Sequence, residues 1–314
     1  MSKEKYLITG AAGFIGANLT RALIEQGKEV YPLVGLETNT WRLKDLDNER
    51  VNYVTVDVTD YAALKAELSR LRPTHVFHLA TYGVHRDQAD QLRIFNTNVL
   101  GTANLLRASL DLDLAAFVNT GSVFEYGNLP GQQCETSLGQ PRSMYDLAKI
   151  IGTQTATNFA RHYGLPVCTL RLFNAYGPYE DKRRLVASVI QSLLRGKVPD
   201  IRTPQSIRDF IYTQDIVDAH CRASSRSDWQ GEVINIGSGQ PTTVEMVVKK
   251  VAAILGLDEP HLDSSQAIPS QDSQSWADIK TARKLLHWQP ENDLDTGLER
   301  TIKWFQEHQD LYEK

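Results

Sequence analysis

The 314-residue chain predicts an α/β protein: a doubly wound parallel sheet covered on both faces, then a smaller C-terminal α/β unit that holds substrate. Three observations carry this. Gly10, Gly13 and Gly16 lie between a short apolar strand and an amphipathic helix. Strand and helix then alternate through the first half, and the strands are near-continuous apolar runs of the kind a parallel sheet buries. After Phe173 that rhythm breaks. The expected division is residues 1–173 plus returning segments near 211–237, against 174–210 and 238–314.

The elements follow in order. Tyr6-Leu-Ile8 is the first strand, and Ala17 to Gln26 continues as a helix with Gly27 at its C-terminal end. A strand, a glycine turn and a helix together make a site for a dinucleotide pyrophosphate. The glycines let backbone approach the phosphates, and the helix start turns free N–H groups and a positive dipole toward them. The fold class is therefore Rossmann-type. Strands are expected at 29–34, 51–57, 74–80, 115–121 and 167–172. Helices are expected at 61–71, about 89–109 and about 143–163. In the second half, 174–178 reads as a loop, 184–195 as a helix, 206–212 as one short strand and 215–224 as a helix. A strand at 233–236, a helix at 243–255, an exposed polar loop at 263–272 and helices near 278–286 and 293–310 complete the chain.

Bulk composition excludes several functions. Of all residues 41% are hydrophobic and 23% charged, ordinary for a soluble globular protein. A net charge of −4 with no Lys/Arg block argues against nucleic acid or an anionic membrane as partner. No apolar run approaches the roughly 18 residues a membrane span needs, and no secretory signal precedes the first strand. Cys134, Cys168 and Cys221 are scattered and odd in number, which fits reduced thiols in the cytoplasm better than disulfides or a metal site.

Two further motifs carry chemistry. In Tyr145-Asp-Leu-Ala-Lys149 the Tyr and Lys share one helix face. A phenol with an unperturbed pKa of about 10 is a poor acid–base group at neutral pH, and a neighbouring ammonium favours its ionised form. Ser122 follows the fifth strand, at the C-terminal strand ends where parallel sheets place ligand contacts. Its hydroxyl there can hydrogen-bond a substrate oxygen.

Gly10-x-x-Gly13-x-x-Gly16, Asp57, His78-Leu-Ala80, Asn98, Ser122, Tyr145-x-x-x-Lys149, Asn174-x-Tyr-Gly-Pro178, Arg208-Asp-Phe210 and Asn235-Ile-Gly-Ser-Gly239 occur in this order. The set resembles the extended short-chain dehydrogenases/reductases, specifically their nucleotide-sugar epimerases, dehydratases and reductases, over nearly the whole chain. The resemblance implies that the three glycines, with Phe14 and Ile15, cradle the pyrophosphate. Asp57 would hold adenine, with Val58, Leu79, Ala80 and Asn98 along the cofactor groove. Ser122, Tyr145 and Lys149 would be the catalytic group. Tyr145 would exchange a proton with a sugar oxygen while hydride moves to or from nicotinamide C4. Lys149 would also reach the nicotinamide ribose. Asn174 and Arg208 would contact the nucleotide-sugar diphosphate, and Tyr82 and His85, in the loop after the fourth strand, the sugar. The resemblance also implies a homodimer through the helices near 89–109 and 143–163.

Cofactor and reaction follow from departures. A carboxylate normally ends the second strand and chelates an NAD ribose. Val34-Gly35 stands there instead, and Arg42 lies downstream, so NADP is the expected cofactor, with NAD held by Glu37 as the alternative. Related dehydratases carry an acid two residues after the catalytic hydroxyl or an Asp-Glu pair just after it. Val123-Phe124 is apolar, and Glu125 comes one place late, so dehydration is not expected. An NADPH-dependent reductase of a nucleotide-linked 4-keto-(6-deoxy)sugar is the primary reading. A 4-epimerase with tightly bound NAD, and a non-catalytic NADP-sensing regulator, are the alternatives.

Overall fold

A computed structural model describes residues 4–46, 51–85, 87–262 and 274–312. Seven parallel strands form the central sheet in the order β11-β7-β5-β4-β1-β2-β3. They are β1 (Lys5–Thr9), β2 (Glu29–Val34), β3 (Val54–Thr55), β4 (His75–His78), β5 (Ala116–Ser122), β7 (Val167–Leu172) and β11 (Val233–Ile236). The chain runs outward from β1 to β3, returns to β4 on the other side of β1, and continues the other way. That reversal opens a crevice between the carboxyl ends of β1 and β4.

Helices cover both faces. On one lie α1 (Phe14–Glu25) and α7 (Thr213–Ser224), packed together. On the other lie α2 (Tyr61–Leu71), α3 (Gln91–Phe95), α4 (Gly101–Ala108) and α5 (Met144–Tyr163). Local sequence explains their ends. Asp60 and Ser143 accept the backbone N–H of Ala63 and Asp146, capping α2 and α5, and Gly164 closes α5 with φ +71°. The expected helix over 89–109 is interrupted by one π-wound turn, Asn96–Leu100, joining α3 to α4. Apolar periodicity could not reveal that extra residue per turn.

The remaining chain packs around its own core of Val186, Ile190, Val247, Val251, Leu298 and Phe305. Its helices are α6 (Leu185–Leu194), α8 (Val244–Ile254) and α10 (Leu294–Glu307), whereas α9 (Lys280–Leu286) packs on β11 and α7 at the core of the sheet. Three expectations need correction. The third strand is only Val54–Thr55, with Val51 bridging separately to Val30. The 174–178 loop contains β8 (Asn174–Tyr176). The single strand at 206–212 is two: β9 (Ile207–Arg208) pairs with β12 (Thr242–Thr243), and β10 (Phe210–Tyr212) pairs with β8. Asp209 makes the break, because its buried carboxylate accepts the backbone N–H groups of Ser238, Gly239 and Ala277. A short parallel pair of β6 (Gly131–Gln133) and β13 (Ser275–Ala277) was not expected. The expected loop at 263–272 lies outside the described residues.

Candidate active site

The glycine turn occupies the crevice. Gly10 follows β1 with φ +67°, and a Cβ there would sit 2.6 Å from Ala80 N at the end of β4. A Cβ on Gly16 would lie 2.2 Å from the Gly10 carbonyl oxygen. The turn is thus closed by backbone packed on backbone, which only glycine permits. Gly13 caps the start of α1, whose first N–H groups face the crevice without intrahelical acceptors.

The residues expected to react come from two elements. Ser122 ends β5 and caps the 3-10 turn Val123–Tyr126; its Oγ accepts the Phe124 N–H at 3.2 Å. Tyr145 and Lys149 stand one turn apart on α5, just inside the Ser143 cap. Phe124 meets the Tyr145 ring edge-on at 6.0 Å. The Lys149 ammonium donates to the Thr120 carbonyl at the end of β5. Burial pushes the Tyr145 phenol pKa up, while hydrogen bonds from Thr81 and Ser122 and the Arg184 charge pull it down. Burial lowers the Lys149 pKa, opposed by the Glu125 carboxylate. A half-buried phenol beside two hydroxyls, with an ammonium one helical turn away, is suited to holding or releasing one proton.

A cleft of about 400 Å³ joins these parts. Gly10, Gly13, Phe14, Ile15, Gly16, Arg42 and Leu79 line its dinucleotide end. Ser122, Tyr145, Lys149 and Asn174 line the other. Ala80 lies behind Gly10, its N–H donating to Thr9. Asp57 is exposed at the β3 edge, where it accepts the N–H and hydroxyl of Thr59, and Val58 is buried beneath it. Asn98, inside the π turn, anchors the loop after β4: its oxygen accepts from Thr81 Oγ1 and Tyr82 N, and its amide donates to the Tyr82 carbonyl. Tyr82 does not line the cleft; its ring lies under the Arg93 guanidinium. An adjoining cavity of about 600 Å³ carries Arg208, with Arg183, Arg184, His85 and Asn174 shared between the two. Asp209, the next residue, turns inward and is fully buried.

Sequence reasoning missed Thr81 and Gln88 in the cleft. Gln88 accepts the N–H groups of Gly83 and His85 and folds the loop inward, a contact that local patterning does not encode. Glu125, expected to be one residue out of place for elimination, is withdrawn altogether: its carboxylate is buried against Arg171 and does not line the cleft. Among the described residues there is no cluster of metal-ligating side chains, and no helix is long and apolar enough to cross a membrane.

A parallel sheet with a glycine crevice, a half-buried Tyr–Lys pair on one helix and a serine at the facing strand end define a dinucleotide-dependent oxidoreductase. The comparisons narrow the class. Residues 6–237 match the NAD dependent epimerase/dehydratase family. The chain is 28% identical over 320 residues to the UDP-glucuronate 4-epimerase of Thermodesulfobacterium geofontis, covering 98% of this chain and 97% of that one. It is 29% identical over 334 residues to the dTDP-glucose 4,6-dehydratase of Neisseria meningitidis, covering 96% and 93%. The UDP-glucose 4-epimerase of Thermotoga maritima, solved with UDP-glucose, superposes with a TM-score of 0.87 at 30% identity, covering 96% and 99%. The chain belongs to the NAD-dependent epimerase/dehydratase family, the nucleotide-sugar group of the extended short-chain dehydrogenases/reductases, and is an enzyme.

Proposed function

We propose that this enzyme reduces a nucleotide-diphosphate 4-keto-6-deoxy sugar with NADPH. The observation that carries the reading is the end of β2. Val34-Gly35 offers no carboxylate to repel a 2′-phosphate. Arg42 lines the cleft, donates to the Tyr179 and Ala12 carbonyls at 2.8 and 3.3 Å, and stacks on Trp41 at 4.5 Å. Among the described residues no carboxylate forms an ion pair with it, so its charge is open to a phosphate. Apolar Val123 and Phe124 in the cleft, with Glu125 withdrawn, disfavour elimination of water.

The residues fit a dinucleotide: the glycine turn is a cradle that any Cβ would fill, and the α1 N-terminus favours its phosphates. Bound there, it supplies the hydride for C4 of the sugar. Ser122 hydrogen-bonds the carbonyl oxygen, and Tyr145 delivers the proton that makes it a hydroxyl. Lys149 keeps the phenol's proton mobile and restores it from solvent. Arg208 and the neighbouring Arg184 neutralise the diphosphate, and Asn174 hydrogen-bonds it. Residues 1–173 with 211–237 hold the dinucleotide, and 174–210 with 238–314 hold the nucleotide sugar. The active form is a homodimer in the cytoplasm.

The second reading is a 4-epimerase with retained NAD, which the names of the relatives favour. Purified enzyme should consume NADPH, watched at 340 nm, only when a nucleotide-linked 4-keto sugar is added. Interconversion of C4 epimers with no net cofactor consumption would establish the epimerase instead. Tight NADP binding without turnover of any nucleotide sugar would leave the sensor. Mass spectrometry of the co-purifying dinucleotide separates NADP from NAD directly.

A further inference from the structure

Behind the reacting set lies a buried charged pair that the chemistry above does not use. Glu125 and Arg171 are 2% and 7% exposed, and neither lines the cleft. Glu125 Oε1 accepts the backbone N–H of Ser122 at 2.7 Å. Its Oε2 accepts Nε and an Nη of Arg171, on β7, at 3.1 and 2.9 Å. The guanidinium lies 4.5 Å from the centre of the Tyr126 ring, and the Tyr126 hydroxyl donates to Asn235 on β11. The strand leaves room for the carboxylate: a Cβ on Gly121 would sit 2.5 Å from Oε1. A buried ion pair is weak evidence for stability by itself, because desolvation offsets most of the attraction. Its place directly behind the serine calls for another reason.

The reason lies in the direction of one hydrogen bond. Ser122 Oγ accepts the Phe124 N–H at 3.2 Å, which occupies a lone pair and leaves the hydroxyl proton to donate outward. That geometry exists only while the 3-10 turn is closed, and the carboxylate on the Ser122 N–H closes it from the other end. We propose that Glu125, held by Arg171, is a positioning residue that clamps this turn so that the Ser122 hydroxyl donates to the reacting oxygen beside Tyr145. The inference rests on the reading of Ser122, Tyr145 and Lys149 as the reacting set.

Ser122 and Arg171 use different oxygens of the carboxylate and an amide offers only one, its NH2 facing the other donor, so Glu125→Gln breaks the clamp with almost no change of volume. Steady-state NADPH oxidation is measured with a panel of UDP-, dTDP-, CDP- and GDP-linked 4-keto-6-deoxyhexoses. E125Q should lower kcat roughly ten- to a hundredfold, with KM for sugar and for NADPH within about twofold of wild type. In a Ser122→Ala background the same change should cost nothing further. Should E125Q fold poorly, Glu125→Leu with Arg171→Met removes both charges together and should show the same loss in kcat. Wild-type kcat in E125Q beside an inactive S122A, or losses that multiply in the double variant, overturn the positioning role and leave the reacting set standing. Full turnover by S122A and by Tyr145→Phe overturns the reacting set and the inference with it; no NADPH oxidation by the wild type overturns only the reductase reading, and the same variants are then compared in the interconversion of C4 epimers.

Discussion

Tyr145 is the residue on which the proposed chemistry turns. Removing its hydroxyl deletes the proton donor but little packing, since the ring still meets Phe124. Tyr145→Phe should therefore lose about 10²- to 10⁴-fold in kcat, with NADPH affinity by fluorescence titration unchanged. Arg42 should act on the cofactor alone. Loss of a charge-assisted hydrogen bond costs about 1.5–3 kcal/mol, or roughly ten- to a hundredfold. Arg42→Ala should weaken NADPH by that factor and leave NADH nearly unaffected; equal weakening of both would place the guanidinium at the pyrophosphate instead. At this scale the spacing of Tyr145 and Lys149 and the strand-end place of Ser122 were legible. Glu125 was not, because an extended alternation was assumed where the chain turns into a 3-10 helix.

Among elements, the β1–α1 turn is the least tolerant of change. Gly10→Ala forces a left-handed backbone at about 1–2 kcal/mol and drives a methyl into the Leu79–Ala80 backbone. It should abolish dinucleotide binding in calorimetry and lower the melting temperature. Gly164, with φ +71° and nothing near its absent Cβ, is the control. Gly164→Ala should cost about 1 kcal/mol and leave binding intact. Comparable binding in both variants would remove the cradle role. The elements that periodicity marked, α1, α2, α5 and the apolar strands of the sheet, appeared close to their expected places. Those it missed, β8, β6, β13 and the split at Asp209, are short pairings whose partners lie far away in sequence.

For the whole molecule, acid sensitivity follows from two buried imidazoles. His78 sits between the hydroxyls of Thr9 and Thr102, at 2.7 and 2.9 Å, and His220 between Ile216 O and Thr120, at 2.8 and 3.2 Å. Burial lowers their pKa values from 6.5 to about 3 and about 4. Below pH 6.5 the unfolded chain takes up protons that the folded chain refuses, so stability is full above that value and lost as pH falls toward 4. Glu180 works the other way: burial raises its pKa to about 7, and its contribution is lost as pH rises from about 4.5 to 7. Two histidines outweigh one glutamate, and the melting temperature should fall from pH 7 to pH 5, with a shallower slope in His220→Gln. A flat or rising profile would contradict neutral burial of these rings. Leu92, Leu100 and Leu147 are exposed on α3, the π turn and α5, the helices through which the homodimer is proposed. Leu100→Glu should halve the mass measured by light scattering.

The sequence alone marked the fold class, the glycine turn, the three residues Ser122, Tyr145 and Lys149 that line one cleft, and the departure at Val34-Gly35. Each of these is written locally, in a glycine spacing, one helix turn or one strand end. Only the tertiary structure decided that Asn98 holds the loop after β4, that Tyr82 turns away from the cleft, that Asp209 locks strands, and that Glu125 stands behind Ser122 with Arg171. Those facts depend on which distant chain segments supply the partners for a buried polar group, and burial, not local pattern, makes such partners obligatory.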